Sequence, residues 1–202
     1  MPMIQMLKKR FRGFLPIVVD VETAGFNAKT DALLEIAAIN VQVSEAQLLE
    51  LGDTLHEHVA PFKGANLNPD ALEFNQIKPF HPFRLALNER EAMEKLEQFV
   101  EQHLKQTGCQ KAILVGHNAH FDHSFIAAAC QRQKVKFMFH SFSTLDTVSL
   151  SALLVGETVL AKALKATKLG YDAQEAHSAL YDATQTAKLF CHFVNHSQYQ
   201  AP

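Results

Sequence analysis

Tryptophan is absent from this chain and cysteine occurs only three times. Cys109, Cys130 and Cys191 are odd in number and lack metal-type spacing, which excludes a disulfide framework. They are expected to be reduced thiols in a cytoplasmic protein. No stretch reaches the ~20 unbroken apolar residues that a transmembrane helix needs, so no membrane association is expected. The N-terminal run Lys8, Lys9, Arg10 and Arg12 leads into an ordinary strand and an acidic motif instead of the apolar core of a secretory leader. Repeats, low-complexity tracts and Pro/Gly/Ser linkers are also missing. The 202 residues and 22.6 kDa are therefore expected to form one domain, 1–202, with 1–12 as a basic N-terminal segment.

The net charge of −2 conceals an asymmetry. Residues 1–19 hold four basic side chains and no acid, which leaves 15 basic against 21 acidic residues, or −6, for the remainder. Such a body repels polyanions. A nucleic-acid partner would have to be drawn in by local basic patches and bound cations.

The apolar pattern predicts a buried strand over Leu15–Val21, a turn at 23–27, a second strand within Asp31–Val43 and a third over Leu55–Val59. Together these make an antiparallel meander. Ala92, Met93, Leu96, Phe99, Val100 and Leu104 recur at helical spacing, which predicts a helix over about 89–106 with Gly108 just past its end. A short strand follows at 112–115, then the 117–122 loop, a helix through Cys130 and strand-like residues at 142–147. Helices are expected over 148–154, 159–167 and 178–195. The order indicates an α/β domain with a mixed central sheet.

Asp20-Val21-Glu22 carries the first chemical signal. Residues two apart on a strand share a face, so two carboxylates stand side by side next to a buried apolar run. A hard cation is the simplest way to keep both ionised, although a strand ending in water would look the same. Asp122 opens a helix, where the dipole favours a negative group and where Asp is also a common cap. Asp182 sits in the first turns of the last helix. His177 precedes it by five residues, which on one continuous helix, at ~100° per residue, would point them about 140° apart. His177 must therefore lie on the preceding loop, with Ser178 near the N-cap, if the two serve one site.

These residues fall in three blocks: Asp20-Val21-Glu22-Thr23-Ala24-Gly25-Phe26, His117-Asn118-Ala119-His120-Phe121-Asp122-His123-Ser124-Phe125, and His177-Ser178-Ala179-Leu180-Tyr181-Asp182. In order and spacing, from about Arg10 to Val194, the chain resembles the DEDDh branch of the DEDD exonuclease superfamily, and within it the RNA-trimming members. The resemblance implies an RNase H-like fold and two Mg²⁺ ions, with Mn²⁺ able to substitute. It implies that Asp20, Glu22, Asp122 and Asp182 are metal ligands, with His177 counted beside them as the general base. Position 120 departs from the pattern: the branch more often has Asn where this chain has His120, a second titrating side chain near the site.

Two cations ~3.5–4 Å apart clamp the attacking and leaving oxygens of a phosphodiester, and a histidine titrating near neutrality can take the proton of the attacking water. Fifteen phenylalanines form an unusual aromatic set. Phe99, Phe190 and Phe193 keep helix-core spacing, whereas Phe26 and Phe121 lie on loops beside the acids. The resemblance adds Phe74 and Phe142 to a clamp that stacks terminal bases, an interaction tolerant of sequence. It also implies a phosphate-binding patch of Arg10, Arg12, Lys105 and Lys111, working in a homodimer in which one subunit's patch feeds the other's site. By position alone the N-terminal run is equally a disordered tail.

The expected activity is a metal-dependent 3′→5′ exoribonuclease that trims single-stranded 3′ ends of tRNA and other small stable RNAs and releases nucleoside 5′-monophosphates. The main alternative is a DNA-directed exonuclease of the same superfamily, acting on single-stranded DNA ends. A non-catalytic binding module is disfavoured by the complete acid set, and a calcium-stabilised domain leaves His177 unexplained. His56-Glu57-His58 has no third ligand at a usual zinc spacing and reads as surface alternation.

Overall fold

The computed structural model describes residues 3–197. Its elements, in chain order, are α1 (Met3–Arg10), β1 (Phe14–Thr23), β2 (Leu33–Val43), β3 (Leu49–His58), α2 (Pro69–Asn75), α3 (Glu89–Thr107), β4 (Lys111–Gly116), α4 (Ala119–Gln133), β5 (Phe139–Asp146), α5 (Thr147–Val155), α6 (Leu160–Ala166) and α7 (Ala179–His196).

The five strands form one sheet in the order β3-β2-β1-β4-β5. β1–β2 and β2–β3 pair antiparallel, β1–β4 and β4–β5 parallel, so the mixed sheet flanked by helices is as expected. β1 is central because Leu15, Ile17, Val18 and Val19 are all apolar and fully buried, a pattern that only a strand covered on both faces satisfies. α7 lies along β1, β2 and β3; α4 lies along β1, β4 and β5, with α3 beside it.

Local signals explain the helix ends. Asn88 and Glu91 form a capping box at the start of α3, and Gly108 closes it at φ 61°. α4 begins at Ala119, three residues ahead of the expected opening at Asp122. Asn118 turns the chain at φ 73°, and the Asp146 carboxylate accepts from the backbone N–H groups of Asn118 and Ala119. Asp122 thus sits inside the first turn and is not the N-cap.

Three further elements differ from expectation. The basic segment is helical from Met3 to Arg10; Met1 and Pro2 lie outside the described residues. Leu7 anchors it by burial, and Arg10 Nη2 donates to the Val194 carbonyl at 2.9 Å. β3 starts at Leu49, six residues early, because Asn195 of α7 bonds both the N–H and the carbonyl of Leu49. α2 was not anticipated, although Asn68-Pro69 carries its signature: an Asn cap followed by Pro in the first turn. The three cysteines are free and buried.

Candidate active site

β1 delivers Asp20 and Glu22 to one face at its C-terminal end. Asp182, in the first turn of α7, meets them: one ligand oxygen from each of the three lies within 4.8 Å of the others. Asp122 reaches the same place from α4, where its Oδ1 accepts from the N–H of Val21 at 2.9 Å, between the two β1 acids. Gly116 permits this approach. A Cβ there would stand 2.9 Å from Ala119 Cα and 3.1 Å from Asp122 Oδ2.

The acids strain against one another. Burial, then the charges of Asp122, Asp182, Glu22 and Glu35, hold the Asp20 carboxyl well above the usual range. Burial followed by Glu35, Asp182 and Asp122 pushes Glu22 up to about 8. Burial also takes Asp122 to about 8, against the hydrogen bonds from its own N–H and from Val21 that favour its charged form. Asp182 is raised as well, first by burial. Its Oδ2 accepts from the N–H of His177 at 3.1 Å, while Oδ1 is buried with no hydrogen-bond partner. Among the described residues no lysine or arginine forms an ion pair with any of the four. A buried carboxylate oxygen without a donor, in a cluster of acids, suits a hard, oxygen-seeking divalent cation.

His177 lies on the loop ahead of α7, as the spacing argument required, at a left-handed φ of 68° and with Ser178 at the N-cap. Its imidazole packs on Phe74, ring centroids 4.4 Å apart, at the end of α2. Phe26, Phe74 and Phe121 line a cleft of about 420 Å³ together with Val21, Glu22 and Asn75. Phe26 is 87% exposed and Phe74 66%. Phe26 meets Phe121 edge-on at 6.2 Å. The loop bearing Phe26 turns at Gly25, φ 153°, where a Cβ would stand 2.1 Å from Asp31 Oδ2. Only glycine fits that turn.

A family model described as an exonuclease, RNase_T, matches residues 17–190. The curated Ribonuclease T of Yersinia enterocolitica is 55% identical over 190 residues, covering 94% of this chain and 88% of the relative. That of Vibrio campbellii is 54% identical over 191 residues, covering 94% and 89%. The chain belongs to the ribonuclease T family. It is accordingly a 3′→5′ exoribonuclease.

The fold agrees. The nuclease domain of 3′hExo, a DEDDh family member bound to rAMP, superposes with a TM-score of 0.69 at 16% identity, over 89% of this chain and 91% of that one. E. coli Exonuclease I in complex with a dT13 oligonucleotide gives 0.69 at 18%, over 89% of this chain; the chain spans about two fifths (40%) of Exonuclease I. The architecture is that of the RNase H-like DEDD exonucleases.

Not every residue singled out by sequence joins the cleft. Phe142 is 82% exposed on β5 and packs edge-on against His140, 4.5 Å between centroids, outside the cleft lining. Lys105 and Lys111 line a separate groove with Lys136. Lys111 pairs with Phe14, six residues before Asp20 on β1, so that groove begins ~20 Å from the acids at 3.3 Å per residue. Lys105 also pairs with Glu101 at 3.3 Å. Arg10 is committed to the end of α7, where it also reaches Ser197 Oγ, and Arg12 is exposed. His120 is exposed in the first turn of α4.

Sequence reasoning missed Asn75, whose side chain bonds the Thr23 carbonyl at 3.0 Å and the Glu22 carboxylate. It also misread His56 and His58. The third member of their group is Glu35, on the neighbouring strand, and the three offer donor atoms within 4.8 Å of one another. Register supplies what spacing along the chain could not: Glu35 pairs with His58.

Proposed function

We propose that this exoribonuclease trims single-stranded 3′ ends of tRNA and other small stable RNAs, using two Mg²⁺ held by Asp20, Glu22, Asp122 and Asp182, with His177 as general base. The observation that carries the reading is the meeting of Asp20, Glu22 and Asp182, with Asp122 tied in behind them and no lysine or arginine among the described residues paired with them. When bound, the ions supply charge for the developing phosphorane, activate a water and stabilise the departing 3′ oxygen. Mn²⁺ meets the same oxygen-donor preference.

The protein's own part is to place the end. Phe26, Phe74 and Phe121 offer aromatic faces to unpaired terminal bases and accept any sequence, whereas a paired base is not free to enter. His177, held by its backbone N–H on Asp182 and by its ring on Phe74, would accept the proton of the attacking water. Release of nucleoside 5′-monophosphates follows from attack at the terminal phosphodiester. The distant groove of Lys105, Lys111 and Lys136 cannot grip the phosphates next to the same subunit's acids. That separation favours a homodimer in which one subunit's groove leads RNA to the other's cleft. Three buried, unpaired thiols suit a reducing cytoplasm.

The test is degradation of 3′-end-labelled tRNA with an unpaired end, a circular RNA of the same sequence and a single-stranded DNA, each with Mg²⁺ and with EDTA. Stepwise loss from the linear RNA in Mg²⁺ alone is expected. Equal destruction of the circle overturns the end-trimming reading, and faster loss of DNA than RNA ends overturns the choice of substrate. His177→Ala should lower kcat by about 10²–10⁴-fold with RNA binding retained; wild-type turnover at neutral pH removes it from the mechanism.

A further inference from the structure

Glu35 forms part of no motif identified in the sequence, yet it is a buried carboxylate with partners on β3 and at the start of α7. The register runs Glu22–Glu35 across β1 and β2 and Glu35–His58 across β2 and β3, which puts three side chains in one row on one face of the sheet. Glu35 is 5% exposed. Its Oε1 lies 2.7 Å from His56 Nε2 and 3.5 Å from Ser178 Oγ, and its carboxylate accepts the N–H of Ala179. His58 Nδ1 stands 3.9 Å from Oε2.

These contacts meet the start of α7, where Ser178 at the N-cap offers no side-chain bond to the helix's own N–H groups. A helix start without a cap leaves backbone donors open. The segment just before it needs holding for a second reason, because His177 is a non-glycine residue in the left-handed region. The same device recurs among the described residues. Asp146, at the end of β5, closes the start of α4, whose first turn carries Asp122. Each helix that brings an acid to the site thus has its N-terminus fixed by a carboxylate from a strand.

We propose that Glu35 is a positioning residue, anchored by His56, that fixes the start of α7 and thereby sets His177 and Asp182 against Asp20 and Glu22. The proposal rests on the roles given above to His177 and Asp182. For fold stability alone a carboxylate is a poor choice here, because its charge adds to the repulsion on Asp20, Glu22 and Asp182. What it contributes is geometry. Although burial pushes its carboxyl up, the His56 hydrogen bond, the two histidine charges and the Ala179 N–H outweigh burial and leave it below its ordinary value.

The experiment compares Glu35→Ala, Glu35→Gln, His56→Ala and Asp20→Asn, reading kcat, KM for a single-stranded RNA end and melting temperature in Mg²⁺. Glutamine keeps an acceptor for Ala179 and a partner for His56 without the charge. Glu35→Ala should lose about 100-fold in kcat, the scale of a small misplacement of catalytic groups, with KM unchanged. Glu35→Gln should stay within about threefold of the native kcat, in keeping with one neutral hydrogen bond replacing an ionic one. Native kcat in a folded Glu35→Ala overturns the proposal, as does Glu35→Gln falling as far as Glu35→Ala, since charge and not capping would then be the cause. Should Glu35→Ala fail to fold, His56→Ala decides: a loss of about tenfold in kcat supports it and native kcat overturns it. Asp20→Asn separates the two levels of argument. Full activity in that variant removes the reading of the site and this inference with it. An inactive Asp20→Asn beside a fully active Glu35→Ala removes the inference alone.

Discussion

Glu89 and Asp122 are equally withdrawn from water, at 3% and 4% exposure, and both are carboxylates in the first turn of a helix. Glu89 is clasped by Arg132 through Nη2 at 2.6 Å and Nε at 3.0 Å and by Gln133 at 2.7 Å. The guanidinium also lies 4.0 Å from the Phe62 ring centroid and bonds the Ala28 carbonyl. Asp122 has backbone donors alone, with other acids nearby. Burial is the same; the partner differs. An acid buried with its own cation is architecture, and an acid buried without one is prepared for a cation from solution.

Substitution tests this contrast most severely at the acids themselves. Asp20→Asn should reduce RNA trimming by at least about 10³-fold, since the acids act as a unit, while raising the melting temperature in EDTA, because a repelled charge is gone. Activity and stability moving together would break the distinction. Glu89→Ala should do the reverse. With Arg132 left unpaired, stability to urea should fall by about 3–5 kcal/mol and kcat per folded molecule should hold.

A pH titration sharpens the same point. Glu22 rises from 4.5 to about 8 and Asp122 from 3.8 to about 8, so the folded chain binds protons that the unfolded chain has already released. Stability in EDTA should therefore fall as pH rises from about 5 to about 8. Saturating Mg²⁺ should flatten that slope, since a cation takes the protons' place. A slope of the opposite sign, or one indifferent to Mg²⁺, contradicts the unpartnered state of these acids. The smallest effect belongs to Phe26→Ala. At 87% exposure the ring supports little of the fold, so thermal stability should hold. Affinity for an RNA 3′ end should weaken by about 1–3 kcal/mol, measured by direct binding to a non-hydrolysable end.

Much of this was legible in the sequence because it is local. Residues two apart on β1 fix the Asp20–Glu22 face, and five apart before α7 force His177 onto a loop. The three motif blocks carried the family, and the apolar periodicities placed β1, β2, α3, β4 and α7. What stayed hidden depends on pairing between distant segments. His56 and His58 lacked a third partner only until β2 laid Glu35 against them. Phe74 showed its relation to His177 only once α2 was folded. Arg10 was grouped with a phosphate-binding patch or a disordered tail because its acceptors, Val194 and Ser197, lie at the far end of the chain. Phe142 was grouped with the clamp, but β5 sets it outside the cleft.

The contact between Asp122 and the Val21 N–H has a mechanical meaning. It rivets α4 to β1 at Val21, the one residue between Asp20 and Glu22, so a drift of the helix carries the strand with it. Spacing among the acids is then insensitive to breathing of the layers. Gly116 is the point at which that rivet can be loosened: one methyl group there, pressed on Ala119 and Asp122, acts as a wedge between helix and strand.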